Sequence, residues 1–276
     1  MSKNIPKLFQ NRLIKAEYAG LTAEEVKKIY IEETGQSPPN KVEVYYSDDF
    51  INKVNSNGFN GTIIHLLDEK QGINQMITIT RGSEKSEINN WCPEDWAYNL
   101  MGIFVGQNAD QFRAAVDLDD AVTSEIENYY SDVELTKVGL GHSLGGNLIT
   151  LLQLTDEMFD NVYTINTAPP TTYQLALIDE SFVKELSLEY NLDIRDNFEA
   201  IYDLNPTELE AFAEEYYKEA GENINHLVMD QDFLNALSVV RGFIEVGNFQ
   251  ILMKLKKKFS SERNINNSIM TPVNLV

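Results

Sequence analysis

Residues Gly141-His142-Ser143-Leu144-Gly145-Gly146 decide how this chain folds. They follow an apolar run, Leu135 to Leu140, and open into Asn147-Leu148-Ile149-Thr150-Leu151-Leu152. The pattern predicts a short buried strand, a sharp turn and a helix, with the serine in a G-x-S-x-G spacing at the turn. A serine hydroxyl becomes a useful nucleophile only when it stands proud of the sheet, within reach of a base. Side chains at the flanking glycines would collide with the neighbouring strand and helix, so Gly141 and Gly145 keep that space open. The helix start aims unpaired backbone N–H groups at the same point, and the amide of Leu144 is a candidate oxyanion donor.

Immediately downstream, Val162-Tyr163-Thr164-Ile165-Asn166 reads as the next strand, closing in Thr167-Ala168-Pro169-Pro170. Upstream, Phe112, Ala115, Val116, Val122, Ile126 and Tyr129 recur at helical spacing and predict a long amphipathic helix ending near Asp132. Before it, Thr62 to Leu67 and Gln75 to Thr80 predict a hairpin with a five- or six-residue loop. Its second strand runs into Arg81-Gly82-Ser83. Further out, Thr22-Ala23-Glu24-Glu25 is a capping box, Gly35 and Pro38-Pro39 stop that helix, and Val42, Val44 and Tyr46 predict an edge strand. Beyond Pro170, Thr171 to Glu222 is helical and strongly acidic. There Asn205 caps a helix with Pro206 first, Glu208 completing a box and Gly221 ending it. Ile224 to Met229 and Phe249 to Met253 are the last strands. The expectation is one α/β domain over residues 1–276, with a helical N-terminal extension (1–40) and an acidic helical insertion (171–222).

The chain has 276 residues and a formal charge of -21, with a pI of about 4.4. Such a chain repels phosphate backbones and anionic membranes at long range, which argues against a nucleic-acid partner. Its single cysteine, Cys92, rules out an internal disulfide. The start, Met1-Ser2-Lys3-Asn4-Ile5-Pro6, lacks an apolar signal region, and no apolar run reaches membrane-span length. The expected location is cytoplasmic, or outside the cell by a route without a cleavable signal. Lys254, Lys256, Lys257, Lys258 and Arg263 form a basic cluster, read as a solvated segment with a transient lipid-headgroup contact as the alternative.

The order of pieces carries a resemblance. A strand ending in Arg81-Gly82-Ser83, then Asp95-Trp96 with Asn99-Leu100, Gln111-Phe112, the Gly141 to Gly146 turn and Ala168-Pro169 resembles the class 3 lipases, between about residues 60 and 255. The resemblance implies an α/β-hydrolase fold and hydrolysis of carboxylic esters, acyl lipids above all, without metal or organic cofactor. It makes Ser143 the nucleophile, with Ser83 and the Leu144 amide as the oxyanion pair. Glu84 to Pro93, with Trp91 and Cys92, occupies the lid position. The acid falls on Asp232, in Asp232-Phe233-Leu234, with Asp230 and Asp203 as alternatives.

Only three histidines exist, His65, His142 and His226, and the family's position for its base, residues 260–270, contains none. Three accounts follow: a histidine past Val276 in a longer protein, His226 working with Asp203, or a degenerate hydrolase that binds a lipid or partner without cleaving. The first geometry predicts a carboxylate at Asp232 some ~6–9 Å from Ser143 Oγ, bridged by one imidazole. It also predicts that alternation along Ile224 to Met229 keeps His226 within the sheet, away from that gap.

Overall fold

Seven strands pair in chain order: β1 (Lys41–Tyr46), β2 (Gly61–Asp68), β3 (Ile73–Thr80), β4 (Thr136–His142), β5 (Asn161–Ile165), β6 (Ile224–Met229) and β7 (Asn248–Leu252). The computed structural model describes residues 6–50, 59–81, 108–130, 133–229 and 242–252. β1 with β2 and β2 with β3 are antiparallel, and every later pair is parallel. The helices are α1 (Lys7–Glu17), α2 (Ala23–Thr34), the single turn α3 (Ser47–Phe50), α4 (Asn108–Tyr129), α5 (Leu144–Asp156), α6 (Thr172–Ile178), α7 (Glu180–Tyr190) and α8 (Pro206–Tyr216). This mostly parallel sheet with flanking helices is the α/β architecture that the sequence pattern predicts.

Strand alternation divides the interior into two cores. Ile77 and Ile79 on β3 join Val138 and Leu140 on β4 in a layer closed by Phe9, Leu13, Val26 and Ile29 of α1 and α2. Met76, one position out of phase, faces the other way, into a core built from α4 to α8. β2 is covered on both faces and buried along its whole length, as its near-continuous apolar run requires. The helices that follow β5 share this second core, through Leu175, Phe182, Leu186 and Leu209, with Leu148, Leu151 and Leu152 of α5. Tyr217 anchors them: its hydroxyl donates to Asp179 at 2.8 Å, and Asp179 also caps α7. Burial, reinforced by that carboxylate, pushes the Tyr217 phenol well above its usual pKa.

The local signals hold in most places. Thr22 and Glu25 form the reciprocal capping box, and Gly35 takes the left-handed C-cap at φ 66°. The hairpin loop is shorter than expected, because Asp68 accepts from Gln71 N and tightens Glu69–Gln71 into a 3-10 turn before Gly72. On α4, Phe112, Ala115, Val122 and Ile126 are buried, but Tyr129 is 75% exposed and Tyr130 packs against the core instead. Asn205 caps α8 through Thr207 N at 3.0 Å, without a Glu208 box, and the helix stops at Tyr216. Gly221 serves packing instead: a Cβ there would lie 2.1 Å from Val246 Cγ1. Among the described residues, no helix is long and apolar enough to cross a membrane.

Candidate active site

Ser143 sits between β4 and α5 with φ 57° and ψ -125°. A residue with a β-carbon meets its own backbone there, at a cost of roughly 1–3 kcal/mol. The surroundings enforce the angle. Ser143 N–H donates to the Ile165 carbonyl at 3.2 Å, and the Ser143 carbonyl accepts from Asn147 N at 3.2 Å and Ala168 N at 3.4 Å. A Cβ on Gly141 would come within 2.6 Å of Gly146 Cα, and one on Gly145 within 2.1 Å of the Thr80 carbonyl oxygen. Helix and strands therefore close on the turn from both sides. The Ser143 side chain makes no cap bond to α5, so its hydroxyl is not consumed by the helix it starts. The first N–H groups of α5, beginning with Leu144, have no carbonyl one turn back and point toward the same edge of the sheet.

β3 reaches that edge beside β4, with Thr80 in register with Gly141. Thr80 Oγ1 donates to the Gly145 carbonyl at 2.6 Å, tying the strand end to the helix start. Arg81 follows, held by Glu17 through Nε at 3.0 Å. Ser83 comes two residues later and lies outside the described residues, as does the whole segment from Glu84 to Pro93. On the other side, Asn147 Nδ2 donates to the carbonyls of Ala168 and Pro169 at 3.2 Å, and Gln174 Nε2 donates to Asn147 Oδ1 at 3.1 Å. This buried amide pair fixes α5 to the chain leaving β5.

Each histidine is engaged elsewhere. His226 is buried in the sheet: Thr164 Oγ1 donates to its Nδ1 at 2.7 Å, and its Nε2–H donates to the Val246 carbonyl at 3.0 Å. Burial lowers its pKa from 6.5 to about 4, so the ring is neutral. The pairing of His226 with Asp203 is therefore corrected, since both ring nitrogens are occupied and Asp203 is exposed at the end of the 3-10 turn Phe198–Asp203. His65 is fully buried on β2, its Nε2 at 2.8 Å from Asn74 Oδ1 and its Nδ1 facing Glu43 Oε2 at 3.6 Å. His142 turns to α1, with Nδ1 at 3.3 Å from the Tyr18 hydroxyl.

Residues 8–253 match DUF6792, a domain of unknown function. The chain belongs to this family. It is 30% identical over 259 residues to the uncharacterized protein YvcB of Bacillus subtilis (strain 168), an alignment covering 86% of this chain and 38% of that one. The chain thus spans well under half the length of that relative. Among solved structures it is similar to lipase II from Rhizopus niveus, at 13% identity, 88% and 81% coverage and a TM-score of 0.41. It is also similar to the lipase from Rhizopus microsporus var. chinensis, at 12% identity, 87% and 75% coverage and a TM-score of 0.37. These likenesses are distant, and the chemistry of the site rests on the chain's own geometry.

Of the residues that the sequence nominates in this DUF6792 chain, Ser143 and Leu144 lie together at the carboxyl edge of the sheet. Asp230 and Asp232 lie outside the described residues, directly after Met229. The chain enters that stretch from the same edge: Met229 N donates to Asn166 Oδ1 at 2.9 Å, and Asn166 follows β5. Residues 260–270 lie outside as well. Sequence reasoning missed Asn147, Asn166 and Glu17. The first had a visible signal, a polar residue opening the apolar face of α5. The last had none, because its partner is far along the chain.

Proposed function

We propose that this chain is a serine hydrolase of the class 3 lipase kind, acting on carboxylic esters and above all on acyl lipids. The observation carrying it is the left-handed backbone of Ser143 between Gly141 and Gly145, with the hydroxyl unused by α5. In this reading Ser143 Oγ attacks the ester carbonyl carbon and its proton passes to a base. The carbonyl oxygen becomes an oxyanion, held by the N–H of Leu144 and by Ser83. Collapse breaks the bond to the alcohol, which leaves with the base's proton, and water then releases the acid from the acyl-serine. Asp232 is the proposed acid that orients the base. His226 and His65 do not serve as that base, because their rings are buried and bonded away from the turn. Hydrolysis of a series of p-nitrophenyl acyl esters that disappears in Ser143→Ala supports the reading, and equal turnover in both proteins refutes it.

The same histidine placement favours a second reading, in which the site holds an acyl lipid without cleaving it. Its signature is saturable fatty-acid binding by the wild type with no ester turnover. Turnover dependent on Ser143 rejects it.

A further inference from the structure

The end of α1 converges on the elbow from outside the site. Glu17 closes that helix and is 2% exposed. Its carboxylate accepts from Arg81 Nε at 3.0 Å and from Thr62 Oγ1 at 3.3 Å. Arg81 Nη2 also donates to the Glu17 carbonyl at 2.8 Å, so one guanidinium grips both the side chain and the open end of the helix. The next residue, Tyr18, lies with its ring centre 5.5 Å from the Arg81 guanidinium carbon and its hydroxyl 3.3 Å from His142 Nδ1. Two consecutive residues of one helix end therefore touch both strand ends of the candidate site. Arg81 stands two residues before Ser83, and His142 directly before Ser143.

A buried ion pair is a poor source of stability, because taking both charges out of water offsets most of their attraction. What a forked guanidinium contact does well is fix position and direction, which a lysine ammonium cannot do in the same way. Position is what the elbow needs here. The Thr80 carbonyl occupies the space a Gly145 Cβ would fill, and the Thr80 hydroxyl holds the Gly145 carbonyl. A shift at the end of β3 is thus transmitted directly to the start of α5.

We propose that Glu17 is a positioning residue for the Ser143 site: through Arg81 it sets where β3 ends relative to the elbow, and hence the seat of the Ser143 hydroxyl and of the N–H donors that open α5. This rests on the reading of Ser143 as nucleophile with the Leu144 amide as an oxyanion donor. Glu17 touches no reacting atom in this account.

Two variants test it on the full chain, so that one failing to fold leaves the other. Glu17→Gln keeps size and loses charge; Arg81→Lys keeps charge and loses the fork. Ile14→Ala, buried on the same helix, weakens α1 without touching the pair. Labelling by a fluorophosphonate at increasing concentration separates a saturating rate from a half-saturating concentration. Glu17→Gln and Arg81→Lys should lower the saturating rate by about 10- to 100-fold, as expected for misplaced donors, with half-saturation unchanged. Ile14→Ala should melt earlier yet label at the wild-type rate. A wild-type rate in Glu17→Gln, or an equal loss in Ile14→Ala, overturns the proposal. If the wild type takes no label, the nucleophile reading fails, and backbone amide NMR decides the positioning claim alone. Glu17→Gln must then shift the Leu144 and Gly145 resonances while Ile14→Ala leaves them in place; unshifted resonances in Glu17→Gln sink it.

Discussion

Ser143 and Asn166 follow neighbouring parallel strands, and both hold positive φ angles, 57° and 45°. At Asn166 the local structure accounts for the angle. Asparagine tolerates the left-handed region, its N–H donates to the Leu227 carbonyl at 2.9 Å, and its Oδ1 accepts from Met229 N at 2.9 Å. The seam between β5 and β6 continues in the same way through Thr164 and His226, whose polar groups are matched. At Ser143 the side chain makes no cap bond, and serine has no intrinsic liking for the angle. One strand end uses an unusual backbone to complete its own hydrogen bonding. The other holds a strained angle with its hydroxyl unbonded to the helix it starts, which is the feature the nucleophile proposal draws on.

The comparison breaks most readily at Gly145. A methyl there meets the Thr80 carbonyl, so Gly145→Ala should destabilise by about 3 kcal/mol or more in urea unfolding, as overpacking against backbone does. A loss below about 1 kcal/mol would mean that α5 and β3 are not held together at the turn.

Next comes the seam, tested by pH. His226 folds as a neutral ring with its pKa lowered to about 4, so the unfolded chain takes up a proton between pH 6.5 and 4 that the folded chain does not. Stability should therefore fall as pH drops through that window, with a contribution on the order of 3 kcal/mol at its lower end. Carboxylates add their own slopes, so the reading is a difference. His226→Gln should show a shallower decline than the wild type, and parallel curves would contradict the assignment.

Asn166→Ala removes the acceptor for Met229 N and leaves a β-carbon at positive φ, for a predicted loss of about 2 kcal/mol. Ser143→Gly runs the other way. Relieving the strained angle should raise stability by about 1 kcal/mol, whereas Ser143→Ala, which keeps the strain, should be nearly neutral. If Ser143→Gly is destabilising, the turn is not strained and the contrast with Asn166 disappears.

The elbow was legible in the sequence because its requirement is local: two glycines at fixed offsets, an apolar run before and a helical run after. The Thr22 capping box and the β2–β3 hairpin were legible for the same reason. Tyr129 was not, because the helix ends there, three residues short of the expected Asp132, and Tyr130 takes the packing position. Gly221 misled in another way, since a glycine near a helix end can mark close packing, here against Val246, as well as a cap. Glu17 with Arg81 was invisible, because pattern reading has no means of pairing charges that only the fold brings together. The alternation along β6 did place His226 in the sheet, where it bonds Thr164. The positions of Ser83 and Asp232, on which the oxyanion and acid assignments depend, lie outside the described residues.

The central claim is that Ser143 is an activated nucleophile, and covalent capture tests it most directly. The full chain is incubated with a fluorophosphonate and digested, and the adduct is mapped by mass spectrometry. The account predicts one adduct per chain, on Ser143, absent from Ser143→Ala and from protein unfolded before exposure. A folded wild-type protein carrying no adduct, or one labelled at another residue with Ser143 intact, would contradict it.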